Sequence, residues 1–345
     1  RDASNGKLLH EFEGHKANFT CYFSPDGRWI YSRSKGDQTL KIWGIDSEKE
    51  YKTISGIPDI QSSLVSPNGK RLVTLGETVC GWDLQSYVEQ AQIEAHAERI
   101  NACCFSADGK ELITGAEDSY LKLWDPDRHV ETKKFEFVIP MGRPLGIYSC
   151  DISLDGYRVV AVGGEPGYGK IWEVDSRKEL IGFGGGSLYL SSCAFSPDGK
   201  IVVAAGMDNK VNVWDVDRGV TLSSHPILGA RRPWGSPPHP FSIFSPDGKW
   251  VVSPGENGWT ISIWDMDTGT EIKTLSGHYE YEIKACSYSP DGKRLVSASE
   301  DRTLTVWDIS TGTEINHLIG HTGVVNSCCF SPDGRLVVST SDDKT

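Results

Sequence analysis

One turn recurs along the whole chain. Ser289-Pro290-Asp291-Gly292 has seven relatives, beginning at Ser24, Ser66, Ser106, Ser153, Ser196, Ser245 and Ser331, at successive spacings of 42, 40, 47, 43, 49, 44 and 42 residues. This period constrains the fold more than any composition figure. Each unit holds short alternating segments rich in Val, Ile and Thr, a Gly-containing turn and a closing Trp, usually followed by Asp. A unit of this kind cannot bury its apolar faces alone; stacked copies bury them against one another.

The unit at 277–308 is the best preserved. Its first strand is predicted at 283–288, its second at 294–299 after the SPDGK turn, its third at 304–307 and its fourth at 314–319. Seven complete units close on Trp43, Trp82, Trp124, Trp172, Trp214, Trp264 and Trp307. An eighth carries its first two strands, at 324–330 and 335–339, and reaches Thr345 before any Trp. At the other end RDASNG aligns with WDISTG at 307–312, which puts Arg1 in the Trp position. Residues 7–13 then read as a fourth strand. The expected architecture is all-β: a single propeller over 1–345 with four-stranded blades. Eight blades are expected, the blade begun at 323–345 being closed by the N-terminal strand 7–13, so that no sheet edge stays exposed. Seven blades, or part of a longer double propeller, is the alternative.

The resemblance is to the WD-repeat β-propeller family. It is carried by Gly14-His15, Gly277-His278 and Gly320-His321, and by Trp-Asp at 82–83, 124–125, 214–215, 264–265 and 307–308. The family's structural tetrad of His, Ser/Thr, Asp and Trp maps onto His278, Ser297, Asp301 and Trp307, and onto His96, Thr114, Asp118 and Trp124. The last unit has His321, Ser339 and Asp343. Elsewhere the pattern lapses: Gly44 replaces Asp after Trp43, Glu173 follows Trp172, and the second, fourth, fifth and sixth units do not match the tetrad. Such sets look catalytic, but a catalytic set belongs to one place and these recur with the blades. The resemblance implies a non-catalytic scaffold that presents loops to protein or peptide partners. A second reading is a sensing or autoinhibitory module of a larger nucleotide-binding signalling protein.

Other signals are weak. Residues 164–171 approach a P-loop, but Ile171 stands where the magnesium-binding hydroxyl belongs, and the segment runs into a strand rather than a helix. Asn18-Phe19-Thr20 is a chance sequon on an inner strand. Six of nine cysteines (Cys21, Cys103, Cys150, Cys193, Cys286 and Cys328) precede the turn Ser by three residues. There Cys serves as a small buried hydrophobe, and neither disulfides nor a metal are expected. Free thiols in that number fit a reducing, cytoplasmic compartment, with the nucleus also open. The net charge of −12 argues against a general nucleic-acid surface. No apolar run reaches the ~18–20 residues of a membrane span. No cofactor is expected, and the chain reads as part of a larger polypeptide or complex. Arg or Lys three residues after the Trp, seen in some ubiquitin-ligase receptors of the family, is missing at Asp46, Gln85, Asp127, Asp175, Asp217, Asp267 and Ser310.

Partner binding is expected where the template is exceeded. Two long connections, 138–146 and 226–240, join a fourth strand to the next first strand. They bring Arg143, and Arg231, Arg232 and Trp234. Residues opening first strands share that rim, among them Arg99, Tyr189 and Glu282, with Tyr279 and Tyr281 just before it. Arg and Trp are enriched at interface hot spots, and an Arg arc suits an acidic or phosphorylated peptide.

Overall fold

The computed structural model describes residues 1–15, 19–47, 49–57, 60–76, 78–139, 142–164, 166–184, 189–206, 210–226, 242–255 and 258–345. They are strands and turns, and no helix long and apolar enough to cross a membrane is formed among them. Seven antiparallel four-stranded sheets follow one another along the chain, at 19–55, 62–93, 100–136, 147–184, 190–226, 243–276 and 283–318. We number them blades 1 to 7. Two compact units contain them, residues 1–60 with 245–345, and residues 61–244.

The recurring turn explains how each blade starts. Ser289 Oγ donates to Asp291 Oδ1 at 2.6 Å and accepts the Arg294 N–H at 2.9 Å, while Asp291 also accepts the Lys293 N–H at 3.1 Å. Gly292 then adopts φ 69°, the left-handed conformation that Gly reaches without steric cost. Each polar side chain thus satisfies a backbone group at the reversal, and the first two strands are locked in register. The Asp after Trp does the same two hairpins later: Asp308 Oδ1 accepts from Ser310 Oγ at 2.6 Å and from Thr311 N at 2.8 Å.

Alternation then packs blade on blade. In the unit formed by 61–244, Ile113, Leu121 and Leu123 of blade 3 meet Ile147, Val159 and Trp172 of blade 4 in one apolar cluster. Val160, Val162 and Ile171 of blade 4 meet Val202, Ala204 and Trp214 of blade 5 in the next. In the other unit, Val296, Leu304 and Val306 of blade 7 pack on Val325, Phe330 and Val337 of the last repeat. All nine cysteines are free thiols, and burial raises those of Cys21, Cys286 and Cys328 well above the ordinary thiol range.

One expectation is corrected here. The described residues form seven four-stranded blades, not eight. The eighth repeat is a two-stranded hairpin of Val325–Phe330 and Val337–Ser341. The segment 7–13, expected as a closing fourth strand, forms no strand. The reason lies in the ladder. A fourth strand pairs with a third, and here only Asp2 bridges Leu336 on the hairpin's outer side.

Candidate partner-binding site

Repetition spreads the polar side chains through the blades. In blade 7, His278 Nε2 lies 2.7 Å from Ser297 Oγ and its Nδ1 lies 2.6 Å from Asp301 Oδ2. The Trp307 indole donates to Ser297 Oγ at 2.9 Å. In blade 3, His96 reaches Thr114 at 2.7 Å and Asp118 at 2.9 Å, and Trp124 donates to Thr114 at 2.9 Å. Blade 1 repeats the arrangement with His15, Ser32, Asp37 and Trp43. Burial lowers the His15 and His96 pKa values despite the Asp partner of each, so these imidazoles favour the neutral form. A neutral ring that already bridges a hydroxyl and a carboxylate has no nitrogen left for a substrate. These side chains therefore hold strands together.

Where the His is missing, the hydroxyl decides what the Trp does. Trp82 and Trp264 still donate to Thr74 at 3.0 Å and Ser253 at 2.9 Å. Ala161 and Ala204 stand in that position in blades 4 and 5, each in register beside the third strand. There the indoles pack on aromatic rings instead: Trp172 on Phe135 and Phe137, Trp214 on Phe183 at 4.2 Å. The loop resembling a P-loop joins two strands, Arg158–Gly163 and Tyr168–Glu173, and Lys170 is buried in an ion pair with Glu179 at 2.6 Å.

The candidate partner residues fall in separate places. In the unit 61–244, Arg99 donates to Gln61 Oε1 at 3.0 Å. Arg143 is exposed on a small hairpin, Val138–Ile139 paired with Arg143–Pro144, inside the long connection 138–146. Tyr189 meets Tyr148 edge-to-face, with ring centroids 5.8 Å apart. Tyr148 escaped the sequence reading. It occupies the second place of a first strand, held by Asn101 in blade 3, Ser191 in blade 5 and Lys284 in blade 7, and an aromatic at a place otherwise polar was the available signal. In the other unit, Tyr279 and Tyr281 are 74% and 51% exposed, high for rings of that size. Glu282 sits beside them and binds Lys284 at 2.9 Å, which also binds Glu300 at 2.7 Å. Arg231, Arg232 and Trp234 lie outside the described residues.

A repeated all-β blade with a closing Trp, an SPDG turn and internal His–Ser/Thr–Asp–Trp bonding defines a propeller of repeated modules. The family model "WD domain, G-beta repeat" matches residues 6–44, 88–125, 178–215, 269–308 and 312–345, more than half of the chain, and the chain belongs to that family. It is 25% identical over 281 residues to "Telomerase protein component 1" of Rattus norvegicus, covering 79% of this chain and 10% of that protein. It is 25% identical over 273 residues to "Autophagy-related protein 16" of Arabidopsis thaliana, covering 77% of this chain and 50% of that one. The chain thus spans half or less of these relatives. Among solved structures, the computationally designed Ika8 protein superposes with a TM-score of 0.80 at 26% identity, covering 98% of this chain and 97% of the designed one. The names of these relatives carry no catalytic activity, and propellers of this family typically serve as protein-interaction scaffolds.

Proposed function

We propose that this chain is a non-catalytic scaffold whose 61–244 unit docks a peptide segment of a partner protein on the surface around Arg99, Arg143, Tyr148 and Tyr189. One observation carries the reading. The His, Ser, Thr and Asp side chains that could do chemistry are bonded to one another inside the blades, whereas Tyr148 and Tyr189 meet edge-to-face at the start of two successive first strands with partly exposed rings. Tyr supplies large contact area with little rotamer entropy, and the exposed Arg143, five residues before Tyr148 in sequence, favours acidic or phosphorylated sequences. Tyr279 and Tyr281 are also exposed, but Glu282 and Glu300 flank the nearby Lys284, so an acidic ligand is disfavoured there.

The test is an array of acidic and phosphorylated peptides probed with the 345-residue chain. Bound sequences should lose about tenfold in affinity on Tyr148→Ala/Tyr189→Ala and on Arg143→Glu, equivalent to ~1.4 kcal/mol each. Binding that survives all three substitutions would remove this surface from the proposal.

A further inference from the structure

Blade 2 departs from the other blades at one buried place, and a cavity lies there. The residue before the closing Trp is Ile42, Leu123, Ile171, Val213, Ile263 or Val306 in six blades, and each of these is at most 1% exposed. In blade 2 it is Gly81. The register is the same: Gly81 pairs with Val73 as Leu123 pairs with Ile113 and Ile171 with Val160. In blades 3 and 4 the aliphatic side chain packs toward the next blade. Leu123 shares a cluster with Trp172, and Ile171 shares one with Trp214. At the matching place between blades 2 and 3, within the unit 61–244, there is instead a cavity of about 20 Å³. Its apolar walls are Val73, Val79, Ile93, Leu112 and Trp124, and Arg71, Asp125 and His129 border it.

Nothing in the backbone requires Gly at 81. Its φ lies outside the left-handed region, and a Cβ built there would meet nothing nearer than His129 Cε1, at 3.9 Å. Gly163 and Gly206 contrast with it, since a Cβ on either would stand 2.1 Å from a neighbouring carbonyl oxygen. The register irregularity between Gly81 and Trp82 recurs beside Leu123 and Ile171, so it does not call for Gly either. The sheet loses by the exchange, because Gly in a strand costs more conformational entropy than Ala and buries no side chain. With bulge and close backbone contact set aside, the remaining role of a strand Gly is to let a ligand approach. Two further features open the place. Trp82 is half-buried, whereas the other six closing Trp residues are 2–8% exposed. Ala91, the partner of Gly81 on the fourth strand, adds only a methyl. His129 covers the gap. It holds φ 58° at the turn place that is Gly219, Gly269 and Gly312 in blades 5 to 7, each bonded to the carbonyl of the Asp four residues before it. Around it the rim is polar: Arg71 donates to Pro126 O at 2.7 Å and pairs with Asp127.

We propose that this cavity is an anchor pocket for a partner polypeptide and takes one short aliphatic side chain, of the size of Val, with His129 as its movable cover. The repeat itself specifies that chemistry, since Val, Ile or Leu fills the same place in every other four-stranded blade. The volume sets the upper limit. With His129 in place the room is that of about one methyl group, and displacement of the ring admits the rest of an isopropyl. One aliphatic anchor in an apolar pocket under a polar rim is the arrangement of an interface hot spot. The pocket shares no residue with the surface around Tyr148 and Tyr189 and stands or falls independently of it.

The probes are N-acetyl-valine methylamide, which presents one isopropyl group on a peptide backbone, its glycine counterpart, and xenon. Each is titrated into the full chain while the methyl resonances of Val73, Val79, Ile93 and Leu112 are followed by NMR. The valine probe and xenon should shift these methyls saturably. The glycine probe should bind at least about tenfold more weakly, because it buries no side chain. Gly81→Val gives blade 2 the residue of blades 5 and 7, fills the cavity and should bind neither the valine probe nor xenon. Gly81→Ala is the smaller step in the same direction; it should already weaken the valine probe, and it keeps the test decisive if Gly81→Val does not fold. His129→Gly, which installs the residue of blades 5 to 7, should tighten the valine probe. Absence of saturable shifts with the valine probe overturns the proposal, and so does binding of xenon alone. Equal binding of the valine and glycine probes, binding that survives both substitutions at Gly81, or binding that His129→Gly leaves unchanged or weakens overturns it as well.

Discussion

In blade 7, His278 is fully enclosed and its Nδ1 sits 2.6 Å from Asp301; in the last hairpin, His321 keeps 11% of its side-chain surface and sits 3.0 Å from Asp343. The hydroxyl contacts are nearly the same, 2.7 Å to Ser297 and 2.8 Å to Ser339. The two sites differ in what covers them. Blade 7 has a third strand bearing Trp307, whereas the hairpin has the end of a third strand, Arg1 and Asp2, bonded to its first residues. The comparison separates geometry from burial. Two strands and the preceding Gly-His loop suffice to assemble His, Ser and Asp. The third strand and its indole exclude solvent from that assembly, and in a low-dielectric surrounding the same bonds hold more strongly.

The largest expected effect is at the indole. Trp307→Ala removes a 2%-exposed side chain and the donor to Ser297, and should destabilise by about 3–5 kcal/mol. Arg1→Ala, at the matching position, removes bonds to Gly6 O and Ile319 O at a partly exposed site and should cost about 1 kcal/mol or less. Urea unfolding of both variants makes the measurement; equal losses would erase the distinction between a covered and an uncovered repeat. Next come the imidazoles. His278→Ala leaves buried Ser297 and Trp307 bonding without its centre and should cost about 1–3 kcal/mol. His321→Ala should cost less, since water can replace its bonds. A larger loss at His321 would show that the hairpin depends on the His more than blade 7 does.

The smallest effect is read in acid. Burial raises the Asp301 pKa, but the His278 and Thr303 bonds outweigh it and hold the carboxyl below its ordinary value. At Asp343 burial again acts upward, and the bonds from Thr345, Thr322 and His321 overcome it. Both folded-state values are depressed. Their contribution to stability is therefore complete above the unfolded-state value near pH ~4 and is lost as pH falls through each folded value. Asp301→Asn and Asp343→Asn should each be less stable than the parent at pH 7, with the gap narrowing below about pH 4. Denaturation midpoints across that range decide it; a gap independent of pH would mean that the carboxylates matter by shape alone.

Much of this molecule was legible from the turn spacing, because each SPDG turn is bonded within itself and needs no distant partner. The alignment of Arg1 with Trp307 was equally legible, and the ladder between Asp2 and Leu336 has that register. The expected closing strand at 7–13 was not a safe inference. Its residues alternate as a strand should, but strand pairing is a property of the neighbour, and that neighbour was never in the segment itself. The edge-to-face pair Tyr148 and Tyr189 was half visible. Tyr189 drew notice through its place in the repeat, while Tyr148 gains its meaning only from a ring 41 residues away in sequence.

The repeat, the turns, the alternation and the identity of the internal polar sets were determined by the sequence alone, since each depends on groups within one blade length. Tertiary structure alone decided that residues 7–13 join no sheet, that Trp172 and Trp214 lean on aromatic rings, and that a cavity lies beside Ser339. The physical reason is shared by all three. A strand's free edge, an indole's unused N–H and a cavity's walls are set by what stands next to them in space, and local sequence constrains that neighbour only weakly.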